Sequence, residues 1–184
     1  MIFSLKRKPI VPNQISTIQS PLFHGRIGLV ACPGVRIGGG TNQKVAKNIK
    51  ADIQEMVDWG ASGVVTLVEE HELSIAGVSD LPERLKSAGL WWRHLPMMDM
   101  YIPEEDFEHD WLREGARIRN LLKHGESVII HCYAGLGRTG LLAAKLLVEF
   151  GMEPQAAIDW VRESNKRRIQ TKEQADYIRG LTPP

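Results

Sequence analysis

A run of ten residues combines a thiol, a guanidinium and three glycines in a spacing that suits phosphate chemistry. The run is His131-Cys132-Tyr133-Ala134-Gly135-Leu136-Gly137-Arg138-Thr139-Gly140. An apolar stretch precedes the run and a helix-forming stretch follows it, which predicts a tight loop between a strand and a helix. Such a loop presents backbone N–H groups to an anion. The run therefore predicts a phosphate-binding loop.

The residue types in this loop predict nucleophilic attack on a phosphate ester. The loop amides and the helix dipole favour the thiolate form of Cys132. Arg138, with five residues between it and Cys132, can bind two phosphate oxygens in a fork and stabilise the charge of the transition state. Gly135 and Gly137 let the backbone curl with its amides inward. The predicted phosphate-binding residues are Tyr133, Ala134, Gly135, Leu136, Gly137 and Arg138.

Two further residues flank the loop. The Thr139 hydroxyl can donate a hydrogen bond to the Cys132 sulfur and favour its departure from a phosphorylated intermediate. His131 ends a buried strand, so it is more suited to fixing the loop geometry than to transferring protons. An alternative makes Cys132 a small core residue and Arg138 a surface charge. The ordered combination of residue types at a strand-to-helix junction favours the phosphate site.

The run resembles the His-Cys-x5-Arg-Ser/Thr signature of the cysteine-dependent protein tyrosine and dual-specificity phosphatases. Within that superfamily the chain most resembles the kinase-associated phosphatase group, small phosphatases that in animals act on cyclin-dependent kinases. The likeness covers residues 27–178 and includes the segments 28–34, 68–73 and 168–177. It implies a phosphatase α/β domain without metal or cofactor, a cysteinyl-phosphate intermediate and a phosphorylated protein substrate, for which a kinase is a candidate.

The mechanism implied by this resemblance requires a general acid, because an alkoxide or phenoxide leaves poorly without a proton. Family members carry an aspartate on a loop before the cysteine. Asp99 lies 33 residues before Cys132 in the loop predicted for Pro96–Ile102, and is the predicted acid. Asp106 is the competitor, although its position in an acidic helix start explains it structurally. Asp80 is a weaker candidate because it suits a helix cap.

The segment Ile169-Gln170-Thr171, with Gln174 after it, resembles the glutamine loop of tyrosine phosphatases. The resemblance implies that Gln170 positions the water that hydrolyses the cysteinyl phosphate, with assistance from Gln174. Thr171 as a helix cap explains part of the same pattern.

Composition excludes several classes of protein. The 184 residues carry 23 Lys and Arg against 22 Asp and Glu, a net charge of +1, which disfavours nucleic-acid binding. No apolar run is long enough for a membrane span. The two cysteines do not form a disulfide framework or a zinc site, so we expect a cytoplasmic protein. Cys32 could pair with Cys132 under oxidation, although its apolar strand favours a packing role.

The order of elements predicts the fold class. We expect an extended arm over residues 1–26 and one domain over 27–184. Strands and helices alternate along that domain, which predicts an α/β fold with a central, mostly parallel sheet and helices on both faces. The predicted strands are 27–32, 63–68, 90–95 and 127–131, and the predicted helices run from Thr41 to Gly60 and over 81–88, 103–125, 139–150, 154–165 and 171–180. The basic run 166–168 is expected to be a solvated helix end.

The sequence therefore predicts an enzyme, a protein phosphatase that hydrolyses phosphotyrosine. Phosphoserine and phosphothreonine are further candidate substrates. One alternative is a phosphoinositide or phosphoglucan phosphatase, but the variable loop positions Tyr133 and Leu136 hold no lysine for extra phosphates. Another alternative is a phosphoprotein-binding module with little turnover. This chain does not carry the substitution that usually inactivates such a module. A sulfur-transfer enzyme would leave Asp99 and Gln170 without a role. The physiological substrate and the oligomeric state stay open.

Overall fold

The computed structural model describes residues 13–36 and 49–184. Within them, five strands form one sheet in the order β1-β2-β5-β3-β4. Their bounds are β1 Ser16–Ile18, β2 Ile27–Ala31, β3 Gly63–Thr66, β4 Trp91–His94 and β5 Val128–Cys132. Only the edge pair β1 and β2 is antiparallel; the other three neighbouring pairs are parallel. The sheet is therefore mostly parallel, as the sequence predicts.

The centre of the sheet is dry on both faces. Every residue of β3 and β5 is buried, and so are the first four residues of β2. A strand that is buried at consecutive positions has neighbours on both faces, since its side chains alternate between them. The helices that cover these faces in the described chain are α1 Ile49–Asp58, α2 Glu70–Ala76, α3 Leu81–Ser87, α4 Glu105–Lys123, α5 Gly137–Glu149, α6 Pro154–Ser164 and α7 Lys172–Arg179.

The strand register gathers the predicted chemistry at one edge of the sheet. Cys132, the last residue of β5, pairs with Ala31 at the end of β2. On the other side, His131 pairs with Thr66 at the end of β3. The carboxyl ends of parallel strands meet at one edge, and ligands of open α/β sheets bind there. The loop that follows β5 therefore stands at the centre of this edge.

The structure adds two elements to the prediction. β1 lies within the predicted arm and pairs with β2 at the sheet edge, while the boundary at residue 27 stays a prediction. Its three residues include Ser16 and Thr17 and give no apolar period. The seven-residue α2 is held by a capping box between Glu69 and Glu72 and ends at Gly77 in the left-handed conformation.

The other helix predictions meet three qualifications. Residues 38–48, which include the proposed cap Thr41, lie outside the described residues. Leu112, predicted on the apolar face of α4, is 75% exposed. Arg168, predicted in a solvated helix end, is buried, with 3% of its surface exposed, in the loop between α6 and α7. Of the helices described, none has the length and apolar character needed to cross a membrane.

Candidate active site

The predicted phosphate-binding loop, residues 133–136, connects β5 directly to α5 and is named the phosphate loop. The strand ends at Cys132 and the helix begins at Gly137, two residues before the predicted start. Gly135 has a φ of 72°, and a Cβ there would lie 2.6 Å from backbone atoms of Val30 and Ala31 in β2. The left-handed conformation and the contact with β2 both require glycine at this position. The loop is thus fixed against the sheet.

Arg138 is the centre of the polar contacts. Its side chain is fully buried. Its Nη1 and Nη2 atoms donate to the two carboxylate oxygens of Glu72, at 2.6 and 2.8 Å. Nη1 also donates to the carbonyl of Met97 at 3.0 Å, and Nη2 lies 3.2 Å from Oδ1 of Asp99. Nε is buried and has no hydrogen-bond partner in the described chain. Glu72 occupies the edge of the guanidinium formed by Nη1 and Nη2. The edge formed by Nε and the second N–H of Nη2 therefore remains open to a ligand.

Sequence reasoning missed Glu72, which orients this arginine. The carboxylate also accepts a hydrogen bond from the backbone N–H of Glu69, so the capping box of α2 aims Glu72 at Arg138. Burial by itself raises the pKa of Glu72, but the hydrogen bonds from Arg138 and Glu69 outweigh burial and place this pKa below its ordinary value. The Glu-x-x-Glu spacing at residues 69–72 was the available signal, although it indicates a helix start and not a partner.

Asp99 stands at the mouth of the site, with 59% of its side chain exposed. It follows a segment that is fixed to the sheet, because the Met97 N–H donates to the carbonyl of Leu67 at 3.0 Å. The two alternative acids lie elsewhere. Asp80 pairs with Arg84 on the surface of α3, and Asp106 is exposed in the first turn of α4. Of the three predicted candidates, the structure brings only Asp99 to Arg138.

Gln170 reaches the phosphate loop from the other side. A Cβ on Gly137 would lie 2.6 Å from Oε1 of Gln170, so the missing side chain lets the amide approach the start of α5. Gln174 is fully buried and holds this loop: its Oε1 accepts from the backbone N–H of Gln170 at 2.9 Å. Its Nε2 donates to the carbonyl of Tyr101 at 3.1 Å. Gln174 therefore connects the loop that carries Gln170 with the loop that carries Asp99.

These groups surround one pocket of about 330 Å³. It is lined by Glu72, Ile75, Asp99, Met100, Cys132, Tyr133, Ala134 and Gln170. The structure thus places the thiol of Cys132, the carboxyl group of Asp99 and the amide of Gln170 around a single cavity. Of the remaining predicted loop residues, Leu136 is buried.

Thr139 departs from its predicted contact. Its hydroxyl is fully buried but makes no hydrogen bond to the Cys132 sulfur or to any other group in the described chain. Buried hydroxyls are almost always paired, so an unpaired one at the start of α5 is unusual. Together with Nε of Arg138, it is one of two unpaired polar groups beside the phosphate loop.

His131 lies in β5, immediately before Cys132, and contacts the neighbouring strand β3. The indole N–H of Trp92 donates to Oγ1 of Thr66 at 2.9 Å, and that hydroxyl lies 2.7 Å from Nε2 of His131. The carbonyl of Cys132 lies 3.4 Å from Nδ1 of His131 and can only accept, so in a neutral ring Nδ1 carries the proton and Nε2 accepts from the Thr66 hydroxyl. Burial lowers the pKa of His131 to about 4, so the ring is neutral. This arrangement supports the predicted structural role and not proton transfer.

Cys32 lies in the hydrophobic core beside the loop. Its backbone N–H donates to the carbonyl of Tyr133 at 3.2 Å. Burial, with the nearby charges of Cys132 and Glu72, raises the pKa of Cys32 to about 12. Both cysteines are free thiols. The structure agrees with the packing role of Cys32, and its pairing with Cys132 under oxidation stays a prediction. Across the described residues, no three His, Cys, Asp or Glu side chains are grouped as metal ligands.

Known proteins share this architecture. A family model described as "Polymorphic toxin system, DSP-PTPase phosphatase" matches residues 38–152. Cyclin-dependent kinase inhibitor 3 of Mus musculus is 31% identical over 83% of this chain and 69% of its own length. Protein tyrosine phosphatase type IVA 3 of Bos taurus is 28% identical over 78% of this chain and 77% of its own. A crystal structure of kinase associated phosphatase, with its catalytic site cysteine substituted by serine, has a TM-score of 0.78 and 28% identity over 91% of this chain and 93% of that one.

The neutral His131 predicts a pH dependence of stability. The unfolded chain binds a proton at this residue below pH 6.5, whereas the folded chain resists it until about pH 4. The free energy of unfolding therefore falls as the pH drops through this window, by about 3 kcal/mol in total. Urea unfolding at several pH values measures it. His131→Gln should flatten the curve, while the exposed His109→Gln should not; an unchanged curve for His131→Gln contradicts the prediction.

The pair between Glu72 and Arg138 predicts a loss of stability on neutralisation. Glu72→Gln keeps a residue suited to the capping box but removes the charge that faces the buried guanidinium. We expect the free energy of unfolding to fall by about 2 to 3 kcal/mol, measured by urea denaturation. Glu70→Gln makes the same charge change at an exposed position of the same helix turn and should change it by less than about 0.5 kcal/mol. Equal effects of the two substitutions would refute the role of Glu72.

Proposed function

Because this chain belongs to the dual-specificity and tyrosine protein phosphatases, we propose that it hydrolyses phosphotyrosine in proteins, with phosphoserine and phosphothreonine as further substrates, through a cysteinyl phosphate on Cys132. The family resemblance predicted from the phosphate loop is confirmed. The single observation that supports the proposed mechanism is the pocket that joins Cys132, Asp99 and Gln170 next to Arg138.

In the first proposed step, the Cys132 sulfur attacks phosphorus and the bond from phosphorus to the ester oxygen breaks. Arg138 binds phosphate oxygens through Nε and through the N–H of Nη2 that is not donated to Glu72. The phosphate thereby takes over the Nη2 contact of Asp99, and the displaced carboxylate takes up a proton from solvent and gives it to the leaving oxygen. The products of this step are the dephosphorylated residue and the cysteinyl phosphate.

In the second step, water attacks the cysteinyl phosphate. The Gln170 amide beside Gly137 is placed to orient that water, and the Asp99 carboxylate accepts its proton. The bond from sulfur to phosphorus breaks and inorganic phosphate leaves. The unpaired Thr139 hydroxyl is the proposed donor to the departing sulfur, a contact that it does not make in the present structure.

The walls of the pocket favour phosphotyrosine. Ile75 and Met100 line the pocket with Tyr133 and Ala134, and this apolar surface suits an aromatic ring. Among the described residues that line the pocket, none is lysine or arginine, so nothing there matches the additional phosphates of a phosphoinositide. We therefore rank a protein monophosphate ester above a polyphosphorylated lipid.

A phosphorylated kinase is the proposed natural substrate. The support is the likeness to cyclin-dependent kinase inhibitor 3 and to kinase associated phosphatase. A cytoplasmic location is also proposed, on the near-neutral charge of the chain and its two free thiols.

The first test compares phosphotyrosine peptide, phosphothreonine peptide and phosphoinositide as substrates in EDTA. We expect turnover of the phosphotyrosine peptide by the wild type, slower turnover of the phosphothreonine peptide, and a loss of more than about 10³-fold in Cys132→Ser. Cys32→Ser is the matched control and should retain activity. Phosphate release by Cys132→Ser at the wild-type rate would refute the covalent mechanism. Release from the phosphoinositide alone would favour the lipid phosphatase, and retention of peptide without release the binding module.

The second test concerns the general acid. Asp99→Asn should slow hydrolysis of a phosphotyrosine peptide by about 10² to 10⁴. An aryl phosphate with a strongly acidic leaving group should lose far less, because its leaving oxygen needs no proton. Asp106→Asn, an exposed residue of α4, is the control and should not change either rate. Equal losses on the two substrates would remove Asp99 from the proposed role.

A further inference from the structure

Arg168 is a buried cation without a carboxylate. Only 3% of its surface is exposed, and no carboxylate oxygen in the described chain lies within ion-pair distance of it. The undescribed segments 1–12 and 37–48 contain no Asp or Glu at all. Taking a charge out of water is costly unless another charge or several hydrogen bonds compensate for it. The position of Arg168 therefore needs an explanation.

The contacts of Arg168 lead to the phosphate loop. Its Nε donates to the carbonyl of Gly135 at 3.4 Å, and its Nη1 donates to the hydroxyl of Ser164. Its stem packs against the start of α5, since a Cβ on Gly140 would lie 2.8 Å from the Arg168 Cβ. A cavity of about 190 Å³ brings Arg168 together with Ala134, Gly135 and Leu136. The guanidinium thus stands behind the loop that carries Cys132.

The charges that face Cys132 from the surrounding elements do not favour a thiolate without Arg168. Arg138 on α5 carries one positive charge, but Glu72 on α2 and Asp99 before α4 both contact it, which leaves a net charge of −1. Next to Cys132 on β5, the imidazole of His131 is neutral, because burial lowers its pKa to about 4. After β2, Cys32 is a neutral thiol, since burial raises its pKa to about 12.

Arg168 therefore brings to the loop that carries Cys132 a buried positive charge that no carboxylate in the described chain cancels. We propose that Arg168 is a positioning residue that stabilises the Cys132 thiolate and the phosphate loop from behind, outside the substrate pocket. This proposal rests on the proposed function, because it names a device that keeps the nucleophile of that mechanism ionised.

The interaction is reciprocal. Burial lowers the pKa of Arg168 to about 10. A negative charge on Cys132 acts in the opposite direction but is the smaller effect. Attraction between opposite charges is mutual, so a guanidinium held behind the loop favours negative charge on the loop. Arg167, the preceding residue, is exposed, so it offers a charge of the same kind that solvent screens.

Alkylation of Cys132 by iodoacetamide as a function of pH tests the proposal, with the modified cysteine identified by mass spectrometry. In Arg168→Met the midpoint of the alkylation curve should move upward by about one pH unit, and the alkylation rate below the midpoint should fall about tenfold. The acidic limb of the kcat/KM profile should move by the same amount. Arg167→Met removes one charge from the neighbouring exposed position and should move neither curve.

Two more variants separate charge from packing. Arg168→Gln keeps a donor for the Gly135 carbonyl without the charge, and its midpoint should move upward as that of the methionine variant does. Arg168→Lys keeps the charge, and its midpoint should stay within about half a unit of the wild type. A folded Arg168→Gln with an unchanged midpoint would overturn the proposal. If the neutral variants do not fold, the test depends on Arg168→Lys. A folded Arg168→Lys whose alkylation midpoint is raised by a full pH unit would then overturn the proposal.

Alkylation needs no turnover, so this test is distinct from that of the proposed function. A wild-type protein that hydrolyses no phosphate ester while Arg168→Met still shifts the alkylation midpoint would refute the enzyme mechanism and retain the role of Arg168. Normal wild-type turnover with an unshifted alkylation midpoint in folded Arg168→Gln would refute the role of Arg168 and retain the enzyme mechanism.

Discussion

The ion pair between Arg138 and Glu72 is the contact on which the rest of the site depends. A buried guanidinium needs a counter-charge, and Glu72 supplies one that accepts from Nη1 and Nη2 and leaves Nε unpaired. The pair joins the start of α5 to α2, two elements that are far apart in the chain. It also fixes which edge of the guanidinium is left for a substrate. Glu72 on α2 thus decides which edge of the guanidinium is available to the proposed substrate.

The loops around Arg138 are fixed by the same principle, in which buried polar groups are paired across elements. The segment before Asp99 is held by Arg138 at the carbonyl of Met97, and the segment after it by Gln174 at the carbonyl of Tyr101. Gln174 also holds the backbone of Gln170. The loop with the proposed acid and the loop with the proposed water-positioning amide therefore share one buried anchor. Displacement of either loop must disturb the hydrogen bonds of the other.

The sequence was most informative where structure and chemistry are local. The strand, loop and helix around Cys132 could be predicted because β-branched residues, glycines and helix formers follow one another without interruption. The pairing of Glu72 with Arg138 could not, since it depends on how two distant elements pack. The burial of Arg168 was missed for the same reason: three consecutive basic residues indicate a solvated end, and only tertiary contacts turn one of them inward.

The short elements were missed for a different reason. A strand of three residues such as β1 shows no alternation that could distinguish it from a loop, and pairing with β2 alone defines it. The seven-residue α2 contains only two buried residues, Leu73 and Ala76, so its apolar period is too brief to recognise. Its capping box was a stronger signal than its hydrophobic pattern. Terminal polar residues therefore carry more information about short helices than their apolar face does.

The two carboxylates at Arg138 change how phosphate binding is best understood. A guanidinium that contacts both Glu72 and Asp99 does not attract a dianion by net charge, because the three groups together are negative. In the proposed mechanism its contribution is direction, since Nε and Nη2 are buried donors held at fixed positions by the ion pair with Glu72. We therefore expect the attraction for a phosphate to come from the loop amides, the N-terminus of α5 and, as proposed above, Arg168 behind the loop. An isolated loop with the same ten residues would have neither Glu72 nor Arg168 beside it, so the proposed chemistry requires the fold as well as the motif.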